Sequence, residues 1–204
     1  MQIANLLKKT ATEGASDLFI SAGKIPHCRK LGQVVELSDR VIEAAEIEQF
    51  RQTLLLPEGE NSYRTNGSFD AGMTGDNGIR FRINFLQQQG RPGLVARPVP
   101  SGDHLDFDEL NLPPAVREFA MAPRGLILLS GTAGSGKSTT LATIINSINS
   151  TQRRHIVTIE DPIEFVHSDK LSLLTQREVG ADSAGFAEAL RNVVRESPDV
   201  IVIG

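Results

Sequence analysis

The sequence predicts an α/β protein: a small N-terminal α+β domain, then a phosphate-loop domain built on a parallel sheet. Three observations carry that expectation. From residue 17 to residue 98, short strand-like runs are punctuated by glycine and proline turns, with helical patterns beside them. Beyond residue 114 the pattern changes to continuous apolar runs alternating with helices, which suits strands covered on both faces. Between the first of those runs and a helix lies a glycine-rich turn, residues 131–138.

The elements follow in order. Ile3, Leu6 and Leu7 at helical spacing predict a short amphipathic helix over residues 2–12. DLFIS (17–21), IPHCRK (25–30) and residues 33–37 read as strands. Ala44, Ile47, Phe50 and Leu54 share one face of a helix over residues 43–56, with Pro57 expected to end it. Three more strands are expected at 69–74, 78–87 and 93–98, divided by Asp76-Asn77-Gly78 and Gly90-Arg91-Pro92-Gly93. These make a first domain of residues 1–98. Pro98, Pro100, Pro113 and Pro114, with several acidic residues among them, mark residues 99–114 as a linker. The second domain, 115–204, is expected to hold a short helix at 116–121 and buried strands at 125–130 (GLILLS), 155–159 (HIVTI) and 200–203 (VIVI). Helices are expected from Lys137 to about Asn149 and over 184–195.

Composition narrows the function classes. Hydrophobic residues make up 40% and charged residues 23%, the balance of an ordinary globular chain. A net charge of -4 gives no reason to expect direct nucleic-acid binding. No apolar run reaches the ~18 residues of a membrane span, and the leading positive charges follow the short apolar stretch, opposite to a secretory signal. The single Cys28 excludes an internal disulfide and a multi-cysteine metal site, and reads as a small packing residue. A cytoplasmic location fits. His27, His104, His155 and His167 have no metal-ligand spacing and read as packing or surface residues.

Gly131, Thr132, Ala133, Gly134, Ser135, Gly136, Lys137 and Ser138 match G-x-x-x-x-G-K-[ST], and Thr139 continues the motif into the helix. Glycines let successive backbone N–H groups curl around phosphate oxygens, and the helix start directs its positive dipole end at them. Lys137 would reach the β/γ-phosphates, and the Ser138 hydroxyl can coordinate Mg²⁺. A chance match in a chain this long is on the order of 1%, and the flanking strand and helix are what the mechanism requires. ATP with Mg²⁺ is the expected ligand.

In open α/β sheets, ligands lie at the carboxyl ends of the strands. Glu160, Asp161 and Glu164 follow the 155–159 strand directly and so fall at that end. Asp199 precedes its strand and falls at the other end, roughly 13 Å away at ~3.3 Å per residue. Read without further context, the Glu160–Glu164 stretch also fits a solvated acidic turn.

GTAGSGKSTTLATIINSIN (131–149), HIVTIEDPIEFVH (155–167) and LLTQREVGADSAGFAEALRNVVRESPDVIVIG (173–204) resemble the secretion-superfamily ATPases, most of all the type IV pilus retraction, or twitching-motility, ATPases of the PilT family. DLFISAGKIPHCRKLGQV (17–34) and IRFRINFLQQQGRPGLVARPVP (79–100) resemble that family's N-terminal domain. The resemblance implies a PAS-like first domain and a RecA-like second one. It also implies a homo-hexameric ring and a partner in the inner-membrane pilus or secretion platform, with the protein peripheral to that membrane.

The same resemblance implies that residues 158–165 form an aspartate box, with Glu164 the catalytic glutamate that polarises water. Glu160 and Asp161 would be the acidic residues near Mg²⁺, acting through water. Arg80, Arg82 and Arg97 fall in the stretch from which family arginines reach the γ-phosphate, although alternating arginines also suit a solvated strand face. Thr132 and Ala133 depart from the family's common proline and threonine, and Ser197 stands where an acidic residue is usual. The acidic residue closing the third strand, the histidine box and the C-terminal domain lie outside the sequence, so an N-terminal piece of a motor is expected. Two rivals remain: a nucleotide-binding accessory subunit without turnover, and a secretion or pilus-extension ATPase.

Overall fold

The helix α1, Gln2–Thr12, places Ile3, Leu6, Leu7 and Thr10 on one buried face, a spacing of three and four residues. That face packs on a six-stranded antiparallel sheet in a computed structural model that describes residues 2–54 and 57–204. The strands are β1 Asp17–Ser21, β2 His27–Lys30, β3 Gln33–Glu36, β4 Ser68–Thr74, β5 Arg80–Gln88 and β6 Arg91–Pro98, in the order β3-β2-β1-β6-β5-β4. Two helices interrupt them, α2 Ala44–Leu54 and α3 Pro57–Asn66. Strand alternation sends Leu18, Ile20, Phe81, Ile83, Phe85, Leu94 and Ala96 to one face, where they meet Ile47 and Phe50 of α2. Each fully buried Leu, Ile or Phe among them is worth about 1.5–3 kcal/mol. Cys28 is buried in the same cluster.

α2 ends before Pro57, and Pro57 opens a separate helix that the sequence did not lead us to expect, α3. Proline suits a first helical position because its missing N–H would have no intrahelical acceptor there. The last two positions expected in α2, Leu55 and Leu56, lie outside the described residues. α3 is tied to α2 by Arg51, whose buried guanidinium pairs with Glu48 and Glu60 and lies 4.4 Å from the Tyr63 ring centre.

The chain folds as two units, Met1–Val99 and Pro100–Gly204. In the second, α4 is Pro114–Ala120, α5 Lys137–Thr151, β7 His155–Glu160, β8 Leu173–Glu178, α6 Phe186–Val193 and β9 Val200–Ile203. β7 lies between β8 and β9, parallel to both, with Ile156 opposite Leu174 and Val200. The stretch expected as a linker is packed instead of free. Phe107 is buried with Ala120, Ile144, Ile145, Ile148 and Ile156, and the Asn146 amide of α5 donates to the carbonyls of Asp103 and Leu105.

A second correction concerns residues 125–130. They form no strand: Leu126 and Leu128 are 83% and 80% exposed. Apolar content marks a segment that suits a sheet interior, but a strand also needs a partner for its N–H and C=O groups. β8 and β9 occupy both sides of β7. β8 went unforeseen because LLTQRE has neither a continuous apolar run nor clean alternation.

Candidate functional site

The loop at residues 131–138 turns on two glycines in the left-handed region, Gly134 (φ 74°) and Gly136 (φ 92°). A side chain at either would strain the backbone. The Ser135 N–H donates to the Thr132 carbonyl, and the Thr140 N–H closes the first helical bond onto Gly136. The N–H groups of Lys137, Ser138 and Thr139 therefore stand in the first turn, where an α-helix supplies no acceptor and carries positive potential. The Lys137 ammonium donates to the carbonyls of Gly131 (3.0 Å) and Thr132 (2.7 Å), which holds it against the start of its own loop.

One pocket is lined by Ser138, Glu160, Asp161, Glu164, His167 and Gly204, among others. Sequence order alone does not bring these residues together; the parallel sheet does. β7 delivers Glu160 and Asp161 at its carboxyl end, beside the first turn of α5. Glu160 is the most enclosed of these acids. The Thr158 hydroxyl (2.6 Å) and the Gln176 amide (3.2 Å) both donate to its Oε1. Burial raises its pKa, partly offset by the hydrogen bonds from Thr158 and Gln176 and by the Glu164 backbone N–H, while the Glu164 charge raises it further. Asp161 and Glu164 are exposed.

β8 supports the loop after Glu160. The Gln176 carbonyl oxygen accepts the His167 N–H (2.9 Å), its amide donates to the Phe165 carbonyl (2.9 Å), and Glu178 accepts the Ile163 N–H (3.2 Å). The sequence singled out Gln176-Arg177-Glu178 without a chemical role. Its role in the structure is to brace the acidic loop, with Arg177 paired to Glu196 at 2.8 Å. Thr158, the first residue of the implied aspartate box, was given no role of its own; a polar residue inside an apolar strand was the available signal. His167 is buried with no hydrogen-bond partner for Nδ1. His155 uses both ring nitrogens, on the Glu196 carbonyl and the Thr175 hydroxyl. Asp199 accepts the His155 N–H (2.9 Å) and pairs with Arg154, at the opposite end of β7 from Glu160.

Oxygen donors from Ser138, Glu160 and Asp161 suit a hydrated hard cation. Among the described residues no group of three or more His, Cys, Asp or Glu is arranged to hold a metal directly. No described helix is long and apolar enough to cross a membrane.

Arg80, Arg82 and Arg97 belong to the first unit. Arg82 and Arg97 are direct cross-strand partners on β5 and β6, both exposed, on the sheet face away from the core. Arg97 donates through Nε (3.0 Å) and its terminal nitrogen (2.7 Å) to Oδ1 of Asp17, while Arg29 approaches Oδ2 at 3.3 Å. Burial pushes the Asp17 carboxyl upward, but hydrogen bonds from Arg97 and Ser16 and the charges of both arginines leave it below its ordinary value.

A glycine-lined loop opening a helix, beside acidic residues at the carboxyl end of a parallel strand, defines an α/β phosphate-loop protein. More narrowly, the chain belongs to the type II/IV secretion system protein family, whose sequence profile matches residues 1–204. It is 39% identical over its whole length to the type IV pilus retraction ATPase PilT of Pseudomonas aeruginosa, and 38% identical over 202 residues, 99% of the chain, to a twitching motility protein of Neisseria gonorrhoeae. It spans 59% and 54% of those two proteins. The crystal structure of the pilus retraction motor PilT with bound ADP superposes with a TM-score of 0.86 at 38% identity, over 99% of this chain and 59% of that one.

Proposed function

We propose that this chain binds ATP with Mg²⁺ and hydrolyses it as part of a subunit of a homo-hexameric motor that retracts type IV pili. The observation that carries the reading is the convergence of Ser138, Glu160, Asp161 and Glu164 on one pocket beside the first turn of α5. Likeness to PilT across the whole chain, and to a PilT structure holding ADP, supports it.

The residues fit the ligand. Left-handed glycines at 134 and 136 keep side chains out of the loop, and an ammonium already held against backbone carbonyls can exchange them for phosphate oxygens. Gly131, Thr132, Ala133, Gly134, Ser135, Gly136, Lys137, Ser138 and Thr139 form the phosphate contact. Ser138, Glu160 and Asp161 would hold Mg²⁺, the carboxylates through water; the cation offsets charge on the phosphates. Glu164 orients the attacking water and accepts its proton. Glu160 acts chiefly as a scaffold acid, since Thr158, Gln176 and the Glu164 backbone already occupy it. Arg80 and Arg82, and Arg97 on exchanging its Asp17 partner, would supply guanidinium donors for the γ-phosphate, a contribution that can reach ~10³–10⁵ in rate. The working assembly would sit at the cytoplasmic side of the inner membrane against a platform protein.

The test is turnover of Mg·ATP by the full-length protein. Lys137→Ala should abolish both binding and turnover. Glu164→Gln should keep binding within about twofold and lower kcat by ~10²–10⁴, the range of a lost general base. Normal hydrolysis by Glu164→Gln removes the catalytic assignment.

A further inference from the structure

The loop that carries Glu164 is held on two sides, and only one of them is β8. The other is a strap formed by the first residues of the second unit, 100–105. The Val166 N–H donates to the Pro100 carbonyl (2.9 Å), and the Gly102 N–H donates back to the Val166 carbonyl (2.8 Å), so Ser101 and Val166 form a parallel bridge. The Asp103 carboxylate accepts the Ser168 N–H at 3.0 and 3.3 Å. The strap is itself anchored, because the Asn146 amide and the Lys170 ammonium both donate to the Asp103 carbonyl, at 3.2 and 3.0 Å. Glu164 lies two residues before the bridge.

Between strap and loop sits the His167 ring, its side chain 1% exposed. It fits only because residue 102 has no side chain. A Cβ there would come within 2.3 Å of the ring Cε1, 2.8 Å of Nδ1 and 2.9 Å of Nε2. Such contacts are far inside van der Waals range, and a buried imidazole has little room to move. The requirement for glycine at 102 is steric, imposed by a residue 65 positions later in the chain.

We propose that the strap positions Glu164, with Gly102 and Asp103 as positioning residues for hydrolysis. The inference rests on the reading of Glu164 as the water-orienting carboxylate. Glu164 is exposed, so its placement depends on the backbone that bears it. That backbone is fixed by Gln176 and Glu178 from β8 and by residues 100–103 from the strap. Displacing a reacting group by about 1 Å can cost ~10² in rate without touching substrate affinity.

The experiment compares kcat and the Kd for Mg·ADP in the full-length protein. Gly102→Ala is expected to lower kcat by ~10–100-fold and leave the Kd within about twofold. His167→Ala removes all three atoms that the new methyl meets, so the double variant Gly102→Ala/His167→Ala should recover most of the lost rate, a strong non-additivity. If Gly102→Ala does not fold, the Asp103 pair carries the test. Asp103→Asn keeps an oxygen for the Ser168 N–H and should stay near wild-type kcat, whereas Asp103→Ala should fall while binding ADP normally. Unchanged kcat in Gly102→Ala and Asp103→Ala, or equal losses of kcat and affinity, overturns the proposal. So does a double variant as slow as Gly102→Ala alone. Glu164→Gln, measured alongside, separates the two levels: if it turns over normally, the catalytic reading and this inference fall together. If Glu164→Gln is dead while the strap variants are unaffected, only the positioning role is lost.

Discussion

Glu160 ends a strand with its carboxyl largely withdrawn from water, and burial raises its pKa above the ordinary 4.5 despite hydrogen bonds from Thr158 and Gln176. A raised carboxyl pKa means the folded chain holds the proton more tightly than the unfolded one. Stability therefore declines as pH climbs from 4.5 through the folded pKa, and ionised Glu160 is a net burden above it. Glu160→Gln retains the oxygen that Thr158 and Gln176 address and removes the buried charge. The variant is expected to melt above wild type at pH 7–8, with the gap closing as pH falls below 4.5. Calorimetry of the full-length protein across pH 4–8 checks this, and a variant less stable at neutral pH would refute the burial account. The glycine turn into α5 was legible in the sequence because its pattern is contiguous: the left-handed Gly134 and Gly136 and the helix start at Lys137 lie within a few residues of one another. Gly102, Asp103 and His167 were not legible. Their meaning lies in a contact between residues 65 apart, and each looks unremarkable in its own neighbourhood.

At the scale of elements, the outcome divides by what each pattern encodes. α1, α5 and the first unit's strands matched their sequence patterns because amphipathic spacing and alternation are properties of one segment. Residues 125–130 did not, since an apolar run states a preference for a sheet interior and says nothing about which strand will pair with it. β8 was missed for the opposite reason. Its residues serve the loop beside it more than a hydrophobic core: Gln176 alone makes contacts to Glu160, Phe165 and His167. That concentration makes an element-level prediction. Gln176→Ala strands a partly buried donor and acceptors at once, and should destabilise the full-length protein by about 1–3 kcal/mol. Urea unfolding measures it. Because the loop bearing Glu164 loses its β8 support, kcat should fall as well, and a variant with wild-type stability and rate would show that the brace is dispensable.

At the scale of the molecule, the larger apolar cluster draws every member from the first unit, from Ile3 to Ala96. A unit of about a hundred residues with its own core is of a size that folds independently, which predicts that residues 1–99, produced alone, fold cooperatively. The second unit has buried clusters of its own, around Ile144, Ile145, Ile148 and Ile156 and around Val157, Ile159, Ala189 and Val193. The chain carries its own reporter for the first unit. Cys28 is its single cysteine and is 1% exposed within the first unit's cluster. A thiol reagent reaches it only when β2 opens, so labelling measures the opening equilibrium directly. Residues 1–99 alone should protect Cys28 to within about tenfold of the full-length rate, a difference of ~1.4 kcal/mol, and lose the protection in denaturing urea. Labelling of the isolated unit at the rate of a free thiol would mean that the core, complete as it is in composition, needs the second unit to hold it shut.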